Sequence, residues 1–377
     1  MQNNLCTLNP DKFGFYQVGN LRTYSKLEAF ELQRRTGHFP EWNFNREVFA
    51  LQNWTQEPGL DLWTLYKSRA QQIRDSYDYV VLLYSGGSDS QNILSAWLEQ
   101  GCRIDEIATQ WNYSGVQNQM SYWNGEVTKV ALPWIEKLQN RGIKFKFRLI
   151  DISQDTLDII DFLKDNYQYY SNCNMSPNNY AKNLWRTRIP EYQNLIAQGK
   201  KLCFVWGSDK PFFYWDKKYY ILFQDMLDNC VNSYTQSQYH SGWYDELFYW
   251  TPDLPEIVIK QAHVLRRFVE TIHDLAFYSH KKTRYGYNQI LKMWLTEEAV
   301  KIILYPHWDQ TTYTDGKSKT TITSMRDKWL IDSNLDQAKI YTDIVQDLNT
   351  RIDPNWLNSD TIIDGIKGCI SPRYYIE

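Results

Sequence analysis

Six consecutive residues, Ser85-Gly-Gly-Ser-Asp-Ser90, carry the clearest chemistry in this sequence. Glycine is scarce, 17 in 377 residues, and Gly86-Gly87 is the one adjacent pair. Small residues let backbone N–H groups approach a phosphate closely, and a helix starting just after them adds partial positive charge. The hydroxyls of Ser85, Ser88 and Ser90 would add donors. Asp89 would repel a bare phosphate, so Mg²⁺ is its natural partner. The string lacks the Gly-Lys-Ser/Thr ending of a Walker loop and the Gly-x-Gly-x-x-Gly dinucleotide fingerprint. The competing explanation is a plain helix-capping turn, with Ser88 or Asp89 as the cap. What favours the anion site is its place, between an apolar strand and an amphipathic helix.

The elements that must hold this loop follow from the hydrophobic pattern. Tyr79-Val-Val-Leu-Leu-Tyr84 is a short apolar run of the kind buried on both faces of a parallel sheet. After the loop, Ile93, Leu94, Trp97 and Leu98 share a helical face, and Gly101 is placed to end that helix. Ile104–Trp111 reads as a second strand, followed by a helix near 121–140. Ile143–Ile150 alternates apolar and charged residues, as an edge strand does. A helical stretch over 178–198 leads to a fourth strand, Leu202–Trp206. Strands alternating with helices predict a doubly wound, mostly parallel α/β sheet with right-handed crossovers. Its ligands would bind beyond the carboxyl ends of the strands, at 85–90, 109–112, 150–153 and 207–211.

With those elements in place, the resemblance is specific. Val80–Ser90 resembles the pyrophosphate loop of the PP-loop ATP pyrophosphatases, whose motif is S-G-G-x-D-S and whose members include asparagine synthetase, argininosuccinate synthetase, GMP synthetase, NAD synthetase, tRNA(Ile) lysidine synthetase and the 7-cyano-7-deazaguanine synthases. Every fixed position matches, and the likeness covers about residues 76–225. It implies the adenine nucleotide alpha hydrolase-like fold and cleavage of ATP between its α and β phosphates. An acyl, carbonyl or amide oxygen would be adenylated, pyrophosphate released, and AMP then displaced by a nucleophile. By the family pattern Ser85, Gly86, Gly87, Ser88, Asp89 and Ser90 would hold the pyrophosphate and its Mg²⁺. The adenine would lie at Ala108–Trp111, with Thr109 among its neighbours.

Gly207-Ser-Asp-Lys-Pro211 resembles the family's second loop. Gly207 and Ser208 would line the nucleotide, Asp209 would share the metal with Asp89, and Lys210 would neutralise the departing pyrophosphate. A simple turn is the alternative for this stretch. Lys182, Arg186 and Arg188 precede it. Arg186 and Arg188, two residues apart, do not share a helix face, so at most one would point inward towards phosphate. Several family variants are excluded. Residues 1–75 are too few for a glutaminase domain, residue 2 is Gln, and no CxxC pair offers a zinc site or a thiolation couple. Cys369 lacks the neighbours of the reductases' reactive cysteine, and such a thiol needs electropositive support.

Composition bounds the rest. At roughly 150 residues per domain, 377 residues give two or three. We divide the chain into an aromatic-rich extension (1–75), the ATP-binding α/β domain (76–230) and a mostly helical substrate or lid domain (231–377). In the last, helices are expected from Pro255 and over Tyr287–Leu304, and His307–Ser324, with Lys317 and Lys319, is a candidate lid. A net charge of −3 excludes a uniformly basic nucleic-acid binder. Local basic residues, Arg266-Arg267 and Lys281–Arg284, keep a nucleotide- or nucleic-acid-modifying enzyme as an alternative, alongside a nucleotide sensor without turnover. Aromatic residues make up 16% of the chain, more readily explained by core and interface filling than by base stacking. Six scattered cysteines, no apolar leader and no membrane-length run predict a soluble cytoplasmic protein. The six histidines show no metal-ligand spacing, so the expected ligands are ATP and Mg²⁺, with an acceptor substrate still to be identified.

Overall fold

A computed structural model describes residues 10–112, 124–166, 184–207, 212–216, 218–223, 225, 243–272, 303–307, 328–331, 335–351, 362–363, 366–367 and 369–376. The chain begins with a small antiparallel sheet of β1 (Phe15–Val18), β2 (Leu21–Thr23) and β3 (Pro40–Asn43), in the order β2-β1-β3. Between them α1 (Lys26–Thr36) starts where Ser25 accepts the Glu28 amide at 3.3 Å and stops at Gly37, whose left-handed φ of 75° closes the last turn. A short helix, α2 (Arg46–Phe49), follows. Then α3 (Leu62–Ser76) is capped by Asp61, which accepts the Thr64 amide at 2.9 Å. Its buried stripe of Leu62, Leu65, Tyr66, Arg69, Ala70 and Ile73 has helical spacing.

The centre of the molecule is a five-stranded, all-parallel sheet. β4 (Tyr79–Leu83) leads through α4 (Ser88–Glu99) to β5 (Glu106–Trp111). A π-helical turn at Val127–Ala131 and α5 (Leu132–Asn140) lead on to β6 (Lys146–Asp151). α6 (Ser153–Asn166), a 3₁₀ turn at Leu184–Arg188 and α7 (Pro190–Ala197) then precede β7 (Leu202–Trp206). The helix expected across 178–198 is thus broken at Ile189, because proline at 190 pushes the residue before it out of the helical region. Residues 178–183 lie outside the described part. β8 (Phe212–Asp216) and β9 (Lys218–Leu222) form a hairpin, and β10 (Trp243–Leu247) supplies the fifth parallel strand. That strand lies beyond residue 230.

The order β10-β7-β4-β5-β6 explains how the sheet is wound. From β4 the chain steps outward through β5 to β6, then crosses back to lay β7 and β10 on the other side. Val80, Leu82 and Tyr84 share a core with Leu65, Ile93, Trp97, Ile135, Val258 and Leu265, from α3, α4, α5 and α8 (Glu256–Ile272). On the opposite face Val81, Ala108 and Phe204 pack with Trp185 and Tyr192. Both faces are covered, as a doubly wound sheet requires. The alternating segment is the sheet edge: in β6, Arg148 donates to the fully buried Glu106 of β5 at 2.7 Å.

Further helices, α9 (Lys328–Ile331) and α10 (Asp336–Arg351), precede a hairpin of β11 (Ile362–Ile363) and β12 (Ile366–Lys367). β13 (Tyr374–Tyr375) pairs with β9, and the Trp42 amide of β3 donates to the Ile370 carbonyl at 3.1 Å. Phe44, Phe49, Trp54, Phe223, Trp250 and Tyr374 pack ring against ring where these regions meet, so aromatic residues do fill a core here. Among the described residues no helix is long and apolar enough to cross a membrane.

Candidate nucleotide site

The loop at 85–90 hangs from a fixed point. Just beyond β4, the Tyr84 amide donates to the Ala108 carbonyl at 2.9 Å, and the Tyr84 carbonyl accepts the fully buried Thr109 hydroxyl at 2.7 Å. Thr109 therefore fastens β5 to the root of the loop. Gly86 then takes φ +83°, a conformation side chains rarely adopt, and Gly87 sits at the N-cap of α4. The loop binds itself. Ser90 Oγ donates to the Gly87 carbonyl at 2.9 Å and accepts the Ser85 amide at 3.3 Å, while the Gly87 amide donates to Ser85 Oγ at 3.2 Å. Two of the three hydroxyls expected to face a ligand thus shape the loop. The third, Ser88 Oγ, is buried and has no hydrogen-bond partner among the described residues. Neither Ser88 nor Asp89 caps the helix, because glycine holds the cap position and offers no side chain.

The loop stands at the reversal of the sheet, where β4 and β7 are neighbours and the chain leaves them in opposite directions. Strand ends part at such a point and leave a crevice. Gly207, immediately after β7, faces the start of α4 closely: a methyl group there would lie 3.3 Å from the Ser90 nitrogen and 3.2 Å from Ile93 Cδ1. The opposite wall is the 126–131 backbone, and a methyl group on Gly86 would lie 2.5 Å from the Glu126 carbonyl oxygen. Asn124 closes the base of that wall, donating to the Asn112 carbonyl at 2.7 Å. The first N–H groups of α4 have no partner within the helix. Such N–H groups suit an anion, and the buried Ser88 hydroxyl in the same turn is a further donor. Mg²⁺ commonly takes only one or two carboxylates plus phosphate oxygens and waters. Half-buried Asp89 in the same turn fits that requirement, although no cluster of three or more metal-binding side chains occurs among the described residues.

Asp89 is held by residues the sequence did not mark. Tyr305 donates its phenol to Asp89 Oδ1, and Tyr249 donates to the Asp89 carbonyl at 2.9 Å. Asn92, one turn along α4, donates to the Tyr249 oxygen at 2.9 Å. The rings of Tyr249 and Tyr305 stack with centroids 5.7 Å apart, and Tyr66 stands edge-on to Tyr249 at 5.5 Å. Burial pushes all three phenols above their ordinary pKa, and the Asp89 charge pushes the same way, so they remain protonated donors.

Other expected residues fall elsewhere. Ser208, Asp209 and Lys210 lie outside the described residues, as do Lys182, Lys317, Lys319 and the 281–284 segment. Arg186 points inward, but not to phosphate. Its guanidinium is paired with Asp245 at 2.8 and 3.1 Å and lies 3.8 Å from the Phe204 ring centroid. Arg188 pairs with Asp155 and is half exposed. His307, at the head of the expected lid, stands edge-on to Trp63 at 4.4 Å and 3.2 Å from a Glu99 oxygen. Cys369 is buried, and burial followed by the nearby Asp225 charge pushes its thiol up, away from reactivity. No protein-family model matches the chain, and no curated protein matches it.

Proposed function

We propose that the protein is an ATP-dependent enzyme that forms AMP and pyrophosphate, of the PP-loop ATP pyrophosphatase kind, acting as a ligase or amidotransferase. One observation carries this reading: the Ser85–Ser90 loop, with Gly86 at φ +83° and a Ser88 hydroxyl that has no hydrogen-bond partner among the described residues, stands where the strand order reverses in a parallel sheet. A phosphate chain would sit over the N-terminus of α4, in reach of its first-turn N–H groups and Ser88. Asp89, with Asp209, would hold Mg²⁺, which supplies charge neutralisation at the phosphates when bound. Lys210 would stabilise the charge that gathers on the departing pyrophosphate. The acceptor's acyl, carbonyl or amide oxygen forms a bond to the α phosphorus as the bond to the β-phosphate oxygen breaks. A nitrogen or sulfur nucleophile then bonds to the carbon that bears the adenylated oxygen, and the carbon–oxygen bond breaks to release AMP.

The test is a mass balance. Incubated with Mg-ATP and a small-molecule extract, the protein should yield AMP and pyrophosphate in equal amounts, with one extract component modified. Asp89→Asn should abolish this while melting as the wild type does. Formation of ADP and phosphate overturns the reading, and ATP bound tightly but never cleaved leaves a nucleotide-binding protein without turnover.

A further inference from the structure

We infer that Tyr305 and Tyr249 are positioning residues for Asp89, fixing its carboxylate and its backbone in the orientation from which it would meet Mg²⁺ and phosphate; the inference rests on the functional reading above. Asp89 occupies the first turn of α4 and is half-buried, and its helical backbone alone leaves more than one staggered rotamer open to the carboxylate. Here Oδ1 accepts the Tyr305 phenol and the main-chain carbonyl accepts the Tyr249 phenol, so side chain and backbone are gripped separately. The donors are rigid. Both rings are fully buried, stacked on each other, and backed by Tyr66. The Tyr66 phenol in turn donates to the Leu304 carbonyl at 3.0 Å and accepts from Gln261 at 3.0 Å, which anchors the backbone that carries Tyr305.

The choice of phenols has a physical consequence. A lysine or arginine at either position would neutralise Asp89 and compete with a divalent cation for it. A neutral hydroxyl orients the carboxylate and leaves its charge in place. Outer partners of this type set how well a first ligand binds its metal, and losing one commonly weakens metal affinity 10–100-fold. Phenylalanine would fill the same space in the stack, so a purely packing role has no need of the two hydroxyls.

The experiment compares wild type, Tyr305→Phe, Tyr249→Phe and Asp89→Asn by calorimetric titration of ATP at a series of Mg²⁺ concentrations, with a melting curve for each. Tyr305→Phe should keep the wild-type affinity for metal-free ATP and melt within a few degrees of wild type. It should need roughly 10–100-fold more Mg²⁺ for half-maximal enhancement of binding. Tyr249→Phe should shift the same midpoint by a smaller factor, and it carries the test alone if Tyr305→Phe does not fold. Wild-type Mg²⁺ dependence in both phenylalanine variants, with loss of that dependence in Asp89→Asn, overturns the positioning role and leaves the Asp89 assignment intact. Unchanged Mg²⁺ dependence in Asp89→Asn removes that assignment, and the inference with it.

Discussion

At Gly86 a strained backbone and a crowded neighbour coincide, whereas at Gly207 only the crowding is present. A side chain at φ +83° costs about 1–2 kcal/mol before any contact is considered, and a methyl group on Gly86 would meet the Glu126 carbonyl at 2.5 Å. Gly86→Ala should therefore lose at least that much stability in urea melts and fail to bind Mg-ATP. Gly207→Ala would have to displace Ile93 and the α4 N-terminus by a few tenths of an ångström. It should melt close to wild type and bind Mg-ATP more weakly, and an equal loss of stability in the two variants would contradict this account. The glycine pair was legible in the sequence because its neighbours in the chain supply its context. Tyr249 and Tyr305 were not, because they reach Asp89 from 160 and 216 residues away and nothing beside them in the chain marks the contact.

Strands β4 and β7 and helices α4 and α8 were legible from their apolar patterns, which their burial follows, and β6 from an alternation that marks its place at the sheet edge. β10 was not. Trp243-Tyr-Asp-Glu-Leu247 places two acids in the middle of a buried strand, and such a run reads as a loop. Partners distant in the chain make the strand possible. Asp245 is matched by Arg186 and the Trp206 indole, and Glu246 by Lys12, Arg69 and Tyr77. Arg186→Met should destabilise by about 3–5 kcal/mol, since it leaves a buried carboxylate without its cation. Adding Asp245→Leu should recover much of the loss, and a double variant no better than the single one would show that the pair is not the deciding contact. Within the sheet, Thr109→Val should cost about 1–3 kcal/mol by stripping the Tyr84 carbonyl of a buried donor. It should also weaken Mg-ATP binding, because the loop's root is loosened.

For the molecule as a whole, Glu246 joins the N-terminal layer to the sheet. Burial opposes its charge, but Lys12, Arg69 and Tyr77 together hold its pKa down at about 2, against an ordinary 4.5. A depressed carboxylate stabilises the folded state fully above its unfolded value, so this contribution should be intact above about pH 4.5 and vanish as the pH falls towards 2. Denaturant melts across that window should show the decline, and Glu246→Gln should be less stable at pH 7 with a flatter profile below pH 4.5. A second junction, Lys26 with the buried Asp225 at 3.1 Å, gathers β1 through the Tyr16 phenol at 2.8 Å and residue 369 through its amide at 2.8 Å. This closure has a consequence for the growing chain. The amide of Trp42 and the hydroxyl of Tyr16 belong to residues made early, but the Ile370 carbonyl and the Cys369 amide that complete their surroundings are made more than three hundred residues later. The layer built on residues 15–43 thus leaves the ribosome long before it can be sealed, and its aromatic surface stays open to chaperones until residues 369 and 370 have emerged as well.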